Sequence, residues 1–217
     1  MADRIFIVGC ARSGTTLLRR LFHSFEDVEV VPYEVTLDDF AAMEEPDGKT
    51  LVGKRTFDTI LSNCVPLEEG KRQLKLLQER PYIRTLCIYR DGRDAVESET
   101  RATPIRWYES MRQMRLAQDA NLLPDLATMK YEDMVSDPDG TQTGLANWFG
   151  LTPAHKWSEY PAFFPGDDHQ DIYPPQPIGT HRVAKDLKKY RRMDPWMAPR
   201  IDRMLKHLGY LEGESHV

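Results

Sequence analysis

Apolar positions along this chain follow two spacings in alternation: short unbroken runs, then stretches of helical period. Arg4-Ile5-Phe6-Ile7-Val8 reads as a buried strand running into Gly9. Leu17, Leu18, Leu21, Phe22 and Phe25 then recur at helical spacing, which predicts a helix from near Gly14. Val28 to Val31 and Leu51 to Gly53 are the next two strands, and Leu67 to Glu79 alternates apolar and charged residues at a helical period. Thr85 to Tyr89 is a fourth strand, ending in turn residues that lead into a helix from about Arg93. Pro104 suits the first turn of a helix over Ile105 to Leu122. Ala127 to Lys130 is a short strand, and Thr141 to Phe149 a helix with Leu145, Trp148 and Phe149 on one face. The last helix, about Pro195 to Leu208, buries Met197, Ile201, Met204, Leu205 and Leu208 and stops at Gly209.

Apolar strands of four or five residues alternating with helices predict an α/β fold: a P-loop-type central parallel sheet with helices on both faces. Residues 1–217 form a single domain on this reading. The pattern fails from Trp157 to Gly179, where seven prolines and glycines and an acidic pair make a long irregular segment. Loops of that length and composition are functional or disordered, so 157–179 is expected to be a lid or substrate loop.

Composition narrows the function classes. A net charge of −5 with both signs interspersed argues against a nucleic-acid partner held by global electrostatics, while leaving room for a local basic pocket. The apolar run Ile5 to Val8 is too brief for a signal peptide, and no stretch approaches the roughly 18 apolar residues of a membrane span. Cys10, Cys64 and Cys87 are far apart and read as buried reduced thiols; the six histidines show no metal-ligand spacing. The expectation is a cytoplasmic, metal-free protein with neither a membrane nor a nucleic acid as partner. Its oligomeric state is not legible.

Chemistry concentrates at two strand-to-helix junctions. Gly9-Cys10-Ala11-Arg12-Ser13-Gly14-Thr15-Thr16 joins the first strand to the first helix, where a glycine turn directs backbone N–H groups and a positive helix end at one place. The nucleotide triphosphatase form is G-x-x-x-x-G-K-[ST]. Here Thr15 holds the lysine position, and a cation stands inside the loop at Arg12 instead. A tight turn capped by a Ser or Thr is the other reading of these residues. The second junction is Tyr89-Arg90-Asp91-Gly92-Arg93-Asp94, with Ser98 eight residues beyond Arg90. An arginine fork matches phosphate oxygens bidentately and a hydroxyl serves another oxygen; alternatively Arg90 or Arg93 pairs with Asp91 or Asp94 in a surface turn.

Arg12-Ser13-Gly14-Thr15-Thr16-Leu17 resembles the phosphosulfate loop of sulfotransferases that use 3′-phosphoadenosine 5′-phosphosulfate (PAPS). Arginine in the basic position is the form of the tyrosylprotein, carbohydrate and many bacterial members. The resemblance implies that Arg12, Ser13, Gly14, Thr15 and Thr16 form the loop holding the 5′-phosphate and sulfate, and that Arg90 and Ser98 grip the 3′-phosphate. Tyr131-Glu132-Asp133-Met134 resembles the family's Tyr-Glu-Asp segment, with the tyrosine near the adenine, although Tyr131 taken alone is equally a core residue. Ile178 to Lys185 resembles the basic segment that closes over the 3′-phosphate, carrying Arg182 and Lys185.

Sulfuryl transfer needs an acceptor base and cations at the bridging oxygen of the leaving nucleotide. The resemblance gives Arg12 as one cation and, in Gly53-Lys54-Arg55-Thr56, Lys54 or Arg55 as another. Arg55 aligns better, and adjacent strand residues point oppositely. Glu34 is the candidate base, or else only the cap of the helix starting near Leu37. The family's alternative base, a histidine, has no counterpart, because Phe57 and Asp58 follow Thr56. The expected activity is sulfuryl transfer from PAPS to a hydroxyl or amine of a small-molecule or carbohydrate acceptor. Two rivals are a P-loop small-molecule kinase and a non-catalytic nucleotide-binding module.

Overall fold

The computed structural model describes residues 3–44, 46–56, 66–98, 103–123, 125–167, 174–178 and 196–211. Five parallel strands run β2-β3-β1-β4-β5: β1 (Arg4–Val8), β2 (Val28–Glu34), β3 (Thr50–Lys54), β4 (Ile83–Tyr89) and β5 (Ala127–Lys130). The connections carry α1 (Thr15–Leu21), α2 (Leu37–Ala42), α3 (Leu67–Glu79), α4 (Gly92–Ser98) and α5 (Pro104–Asp119). After β5 come α6 (Tyr131–Ser136), α7 (Pro138–Phe149) and α8 (Ala198–His207). The α/β class expected from the run lengths is the class observed.

β1 is the central strand, and every one of its residues is buried. Its alternation divides the interior into two layers. Phe6 and Val8 face a cluster with Phe40, Leu77, Trp107, Met111, Ile201 and Leu205, from α2, α3, α5 and α8. Ile5 and Ile7 face the other side, against Leu18 and Leu21 of α1, Met134 of α6, Phe149 of α7 and Trp157. A strand covered on both faces has no solvent side, which is why Ile5 to Val8 is an unbroken apolar run.

Local chemistry sets the helix starts. The Thr103 hydroxyl accepts from the Arg106 amide at 3.3 Å ahead of Pro104, and the Asp137 carboxylate accepts from the Gly140 amide at 3.1 Å ahead of Pro138. α2 is capped by Thr36, whose hydroxyl accepts from the Asp39 amide at 3.1 Å, so Glu34 is not its cap. Trp148 departs from the sequence expectation. It is 51% exposed while Leu145 and Phe149 are buried, because adjacent helix residues lie about 100° apart around the axis. Cys10 and Cys87 are buried, and burial pushes the Cys87 thiol up to about 12; Cys64 lies outside the described residues. Among the described residues no helix is long and apolar enough to cross a membrane.

Candidate functional site

Strand register assembles the site along the carboxyl edge of the sheet. From β1 the chain moves first to one side, through β2 and β3, and then to the other, through β4 and β5. The loops leaving β1 and β4 therefore border the crevice where open α/β sheets bind ligands. Tyr89 pairs with Lys130, so Arg90 and Tyr131 follow side by side, and Glu34 pairs with Lys54 across β2 and β3.

A cavity of about 270 Å³ opens at this edge, lined by Arg12, Gly14, Thr15, Thr16, Arg90 and Tyr131 among others. Two segments more than seventy residues apart in sequence thus share one pocket. Arg12 holds a left-handed backbone at φ 69°, uncommon for a residue with a side chain. Gly14 sits at φ 94°, and a Cβ there would lie 2.5 Å from Tyr131 Cδ2, so both conformation and contact require glycine. The Ser13 hydroxyl is buried and has no hydrogen-bond partner among the described residues. Such a group is costly unless something satisfies it.

The second junction resolves its two arginines differently. Arg90 lines the pocket, with its guanidinium 4.5 Å from the Tyr131 ring centre and its Nη1 donating to the Arg12 carbonyl at 3.4 Å. It also lies 3.8 Å from Asp94. Burial pushes the Tyr131 phenol up, with the Arg90 charge pulling the other way. Arg93 instead donates from Nε to both Asp91 oxygens, at 2.9 and 3.1 Å, and from Nη2 to the Tyr210 carbonyl at 3.1 Å. The carboxylate pairing of the alternative reading is thus close for Arg93 with Asp91 and looser for Arg90 with Asp94, and Arg90 is the one that also lines the cavity. Ser98 is the last residue of α4, with its side chain outside the description, and Arg182 and Lys185 also lie outside the described residues.

Glu34 and Lys54 form an ion pair at 2.6 Å, in which the lysine side chain is 3% exposed and the carboxylate 25%. Thr56 donates to the same carboxylate oxygen at 3.0 Å, and its hydroxyl lies 3.4 Å from that of Thr15 in the phosphate loop. Burial acts to raise the Glu34 carboxyl. The Lys54 charge and hydrogen bond, the Thr56 hydrogen bond and the Arg55 charge outweigh it and hold the group below its ordinary value of 4.5. Lys54 is thus the strand-end cation directed at Glu34, and Arg55, half-buried, adds its field from one residue on.

The far wall draws on the segment 157–179 expected to be a lid or substrate loop, and also on Arg20, which sequence reasoning missed. Arg20 lines the cavity with Tyr160, Pro174, Gln176, Pro177 and Ile178. Its guanidinium donates to Asp167 from Nε at 2.8 Å and Nη2 at 2.7 Å, Arg19 donates to the same carboxylate at 2.5 Å, and Phe164 stacks 4.9 Å from Arg20. This clamp fastens residues 157–167 to α1. Arg20 was findable, since it stands four residues from Thr16 on one helix face. Asp167 was not, because no local signal links it to a partner 147 residues away.

The sequence model of the sulfotransferase family matches residues 4–79, from β1 to the end of α3. A comparison with curated proteins finds no match. Among solved structures, the chain is similar to the sulfotransferase domain from the curacin biosynthetic pathway, at a TM-score of 0.59 and 15% identity over 97% of this chain and 99% of that one. It is also similar to the sulfotransferase domain of the Synechococcus PCC 7002 olefin synthase, at 0.57 and 15% over 98% and 96%. Mouse sulfotransferase SULT7A1, crystallised with PAP, follows at 0.55 and 14% over 94% and 84%. The sequence match covers residues 4–79, and over the rest of the chain the likeness to these sulfotransferase domains is one of fold.

Proposed function

We propose that the protein is a PAPS-dependent sulfotransferase whose acceptor is a hydroxyl or amine on a small molecule or carbohydrate. The observation that carries the proposal is the single cavity in which the loop of Arg12 to Thr16 meets Arg90 and Tyr131. A nucleotide with phosphates at both ends of its ribose needs two anion sites joined by a planar surface, and these residues supply that set. The buried, unpartnered hydroxyl of Ser13 fits a site awaiting an anion. The solved mouse relative, which holds PAP, supports the same ligand class here.

The donor supplies the activated sulfuryl group; the chain supplies position and charge. Arg12, Thr15 and Thr16 hold the phosphosulfate end, Arg90 and Ser98 the 3′-phosphate, and Tyr131 the base. Lys54, with Arg55 beside it, adds positive charge toward the leaving group. Glu34, held ionised at neutral pH, accepts the acceptor's proton. The segment 157–179, from which Tyr160, Pro174, Gln176, Pro177 and Ile178 line the cavity, serves as a lid or substrate loop, with Arg182 and Lys185 closing over the 3′-phosphate. No metal is required, since sulfate carries less charge than phosphate and side-chain cations suffice.

Calorimetry with PAP and AMP tests this reading. PAP should bind far better, and Arg90→Ala should weaken it by about 1.5–3 kcal/mol, the range for hydrogen bonds to charged groups. Equal affinity for AMP would remove Arg90 from the argument, and tight binding of ATP with magnesium would favour a kinase.

A further inference from the structure

The residues that hold Arg90 in place come from three distant parts of the chain. The Arg90 carbonyl accepts from Trp107 Nε1 at 2.9 Å, and the next amide, of Asp91, donates to Glu132 Oε1 at 3.0 Å. The other oxygen of Glu132 accepts from the Tyr210 hydroxyl at 2.7 Å. Arg93 ties Asp91 to the Tyr210 carbonyl, as described above. The Tyr210 ring is itself seated, edge-on to Tyr89 at 6.4 Å and under Lys130 Nζ at 5.2 Å. Gly92 completes the packing: a Cβ there would lie 2.6 Å from the Trp107 ring.

We propose that Tyr210 and Glu132 are positioning residues which lock the Arg90 turn, so that the segment after α8 sets the protein's preference for a nucleotide bearing a 3′-phosphate. The inference rests on the nucleotide reading given above. Its physical basis is that a guanidinium on a turn is only as well aimed as the peptides on either side of it. The Arg90 peptides are fixed by Trp107 on one side and by the Glu132 carboxylate on the other. That carboxylate is fixed in turn by Tyr210. Burial, and after it the charge and hydrogen bond of Glu132, raise the Tyr210 phenol, so it remains a donor across the physiological range. Tyr210 is not among the described residues that line the cavity, and it reaches the Arg90 turn through Glu132 and Arg93.

The test uses the full chain and titrates PAP and AMP into wild type, Tyr210→Phe, Glu132→Gln and Arg90→Ala. Tyr210→Phe keeps the ring and its stacking and removes only the hydroxyl. PAP affinity should fall roughly tenfold in Tyr210→Phe and in Glu132→Gln, the scale of one hydrogen bond to a charged group, while AMP affinity stays the same. Added to Arg90→Ala, Tyr210→Phe should have no further effect, because the two act on one contact. A wild type that binds AMP as well as PAP overturns the nucleotide reading itself. If wild type discriminates and both single variants still do so fully, or if both nucleotides weaken equally, the lock is overturned and Tyr210 only fastens the fold.

Discussion

Glu34→Gln separates charge from shape at the proposed base. The amide keeps an oxygen where the carboxylate accepts from Lys54 at 2.6 Å and Thr56 at 3.0 Å, so the geometry survives and the negative charge does not. Charge-assisted hydrogen bonds are about twice as strong as neutral ones, so the loss is about 1–2 kcal/mol. The 25% exposure of the carboxylate side chain screens the pair and keeps the figure at that level. For a chain of this size that corresponds to a fall in Tm of roughly 2–8 °C. Because the folded carboxyl titrates below its ordinary value of 4.5, its contribution is fully present above that pH and is lost as pH falls through the folded value. Wild-type and variant stability curves should therefore converge in acid and be fully separated above about pH 4.5. Activity should fall much further than stability, by about 10²–10⁴ in single-turnover transfer, since a positioned base contributes that much. Nucleotide affinity should not fall, because the change removes a negative charge near the anion site. If the variant transfers sulfate at the wild-type rate with chemistry rate-limiting, Glu34 only neutralises Lys54 and the base lies elsewhere.

Two further perturbations probe the frame around the site. Asp167→Asn removes the buried carboxylate that both Arg19 and Arg20 hold, and should cost about 3–5 kcal/mol in urea unfolding. The Asp167 carboxyl is held at about 2, since its hydrogen bonds and the arginine charges outweigh burial, so wild type should lose this contribution only as pH falls from about 4 toward 2. Wild-type stability in the variant would show that the clamp is not needed to hold 157–167. Gly14→Ala must adopt φ 94° and displace the Tyr131 ring, costing about 1–2 kcal/mol from the backbone alone. PAP affinity should drop with it, and unchanged calorimetric binding would mean that Tyr131 does not need its present seat.

Much of this protein is written locally. Ile5 to Val8 announces a central strand because no position in it meets water, and the glycines at 9 and 14 announce the turn that follows. Leu67 to Glu79 is legible as a helix to the residue, since its period of apolar positions is a property of the segment alone. The order of the two phosphate junctions is likewise a matter of chain order. What the tertiary structure decided were choices between neighbours and pairings at a distance. Lys54 rather than Arg55 pairs with Glu34, because strand register sets those two side by side. Arg90 rather than Arg93 enters the cavity, because Tyr210 and Asp91 hold Arg93 away from it. Asp167 and Tyr210 act on residues more than 75 positions away, and side chains brought together only by the packing of whole layers leave no trace in local pattern.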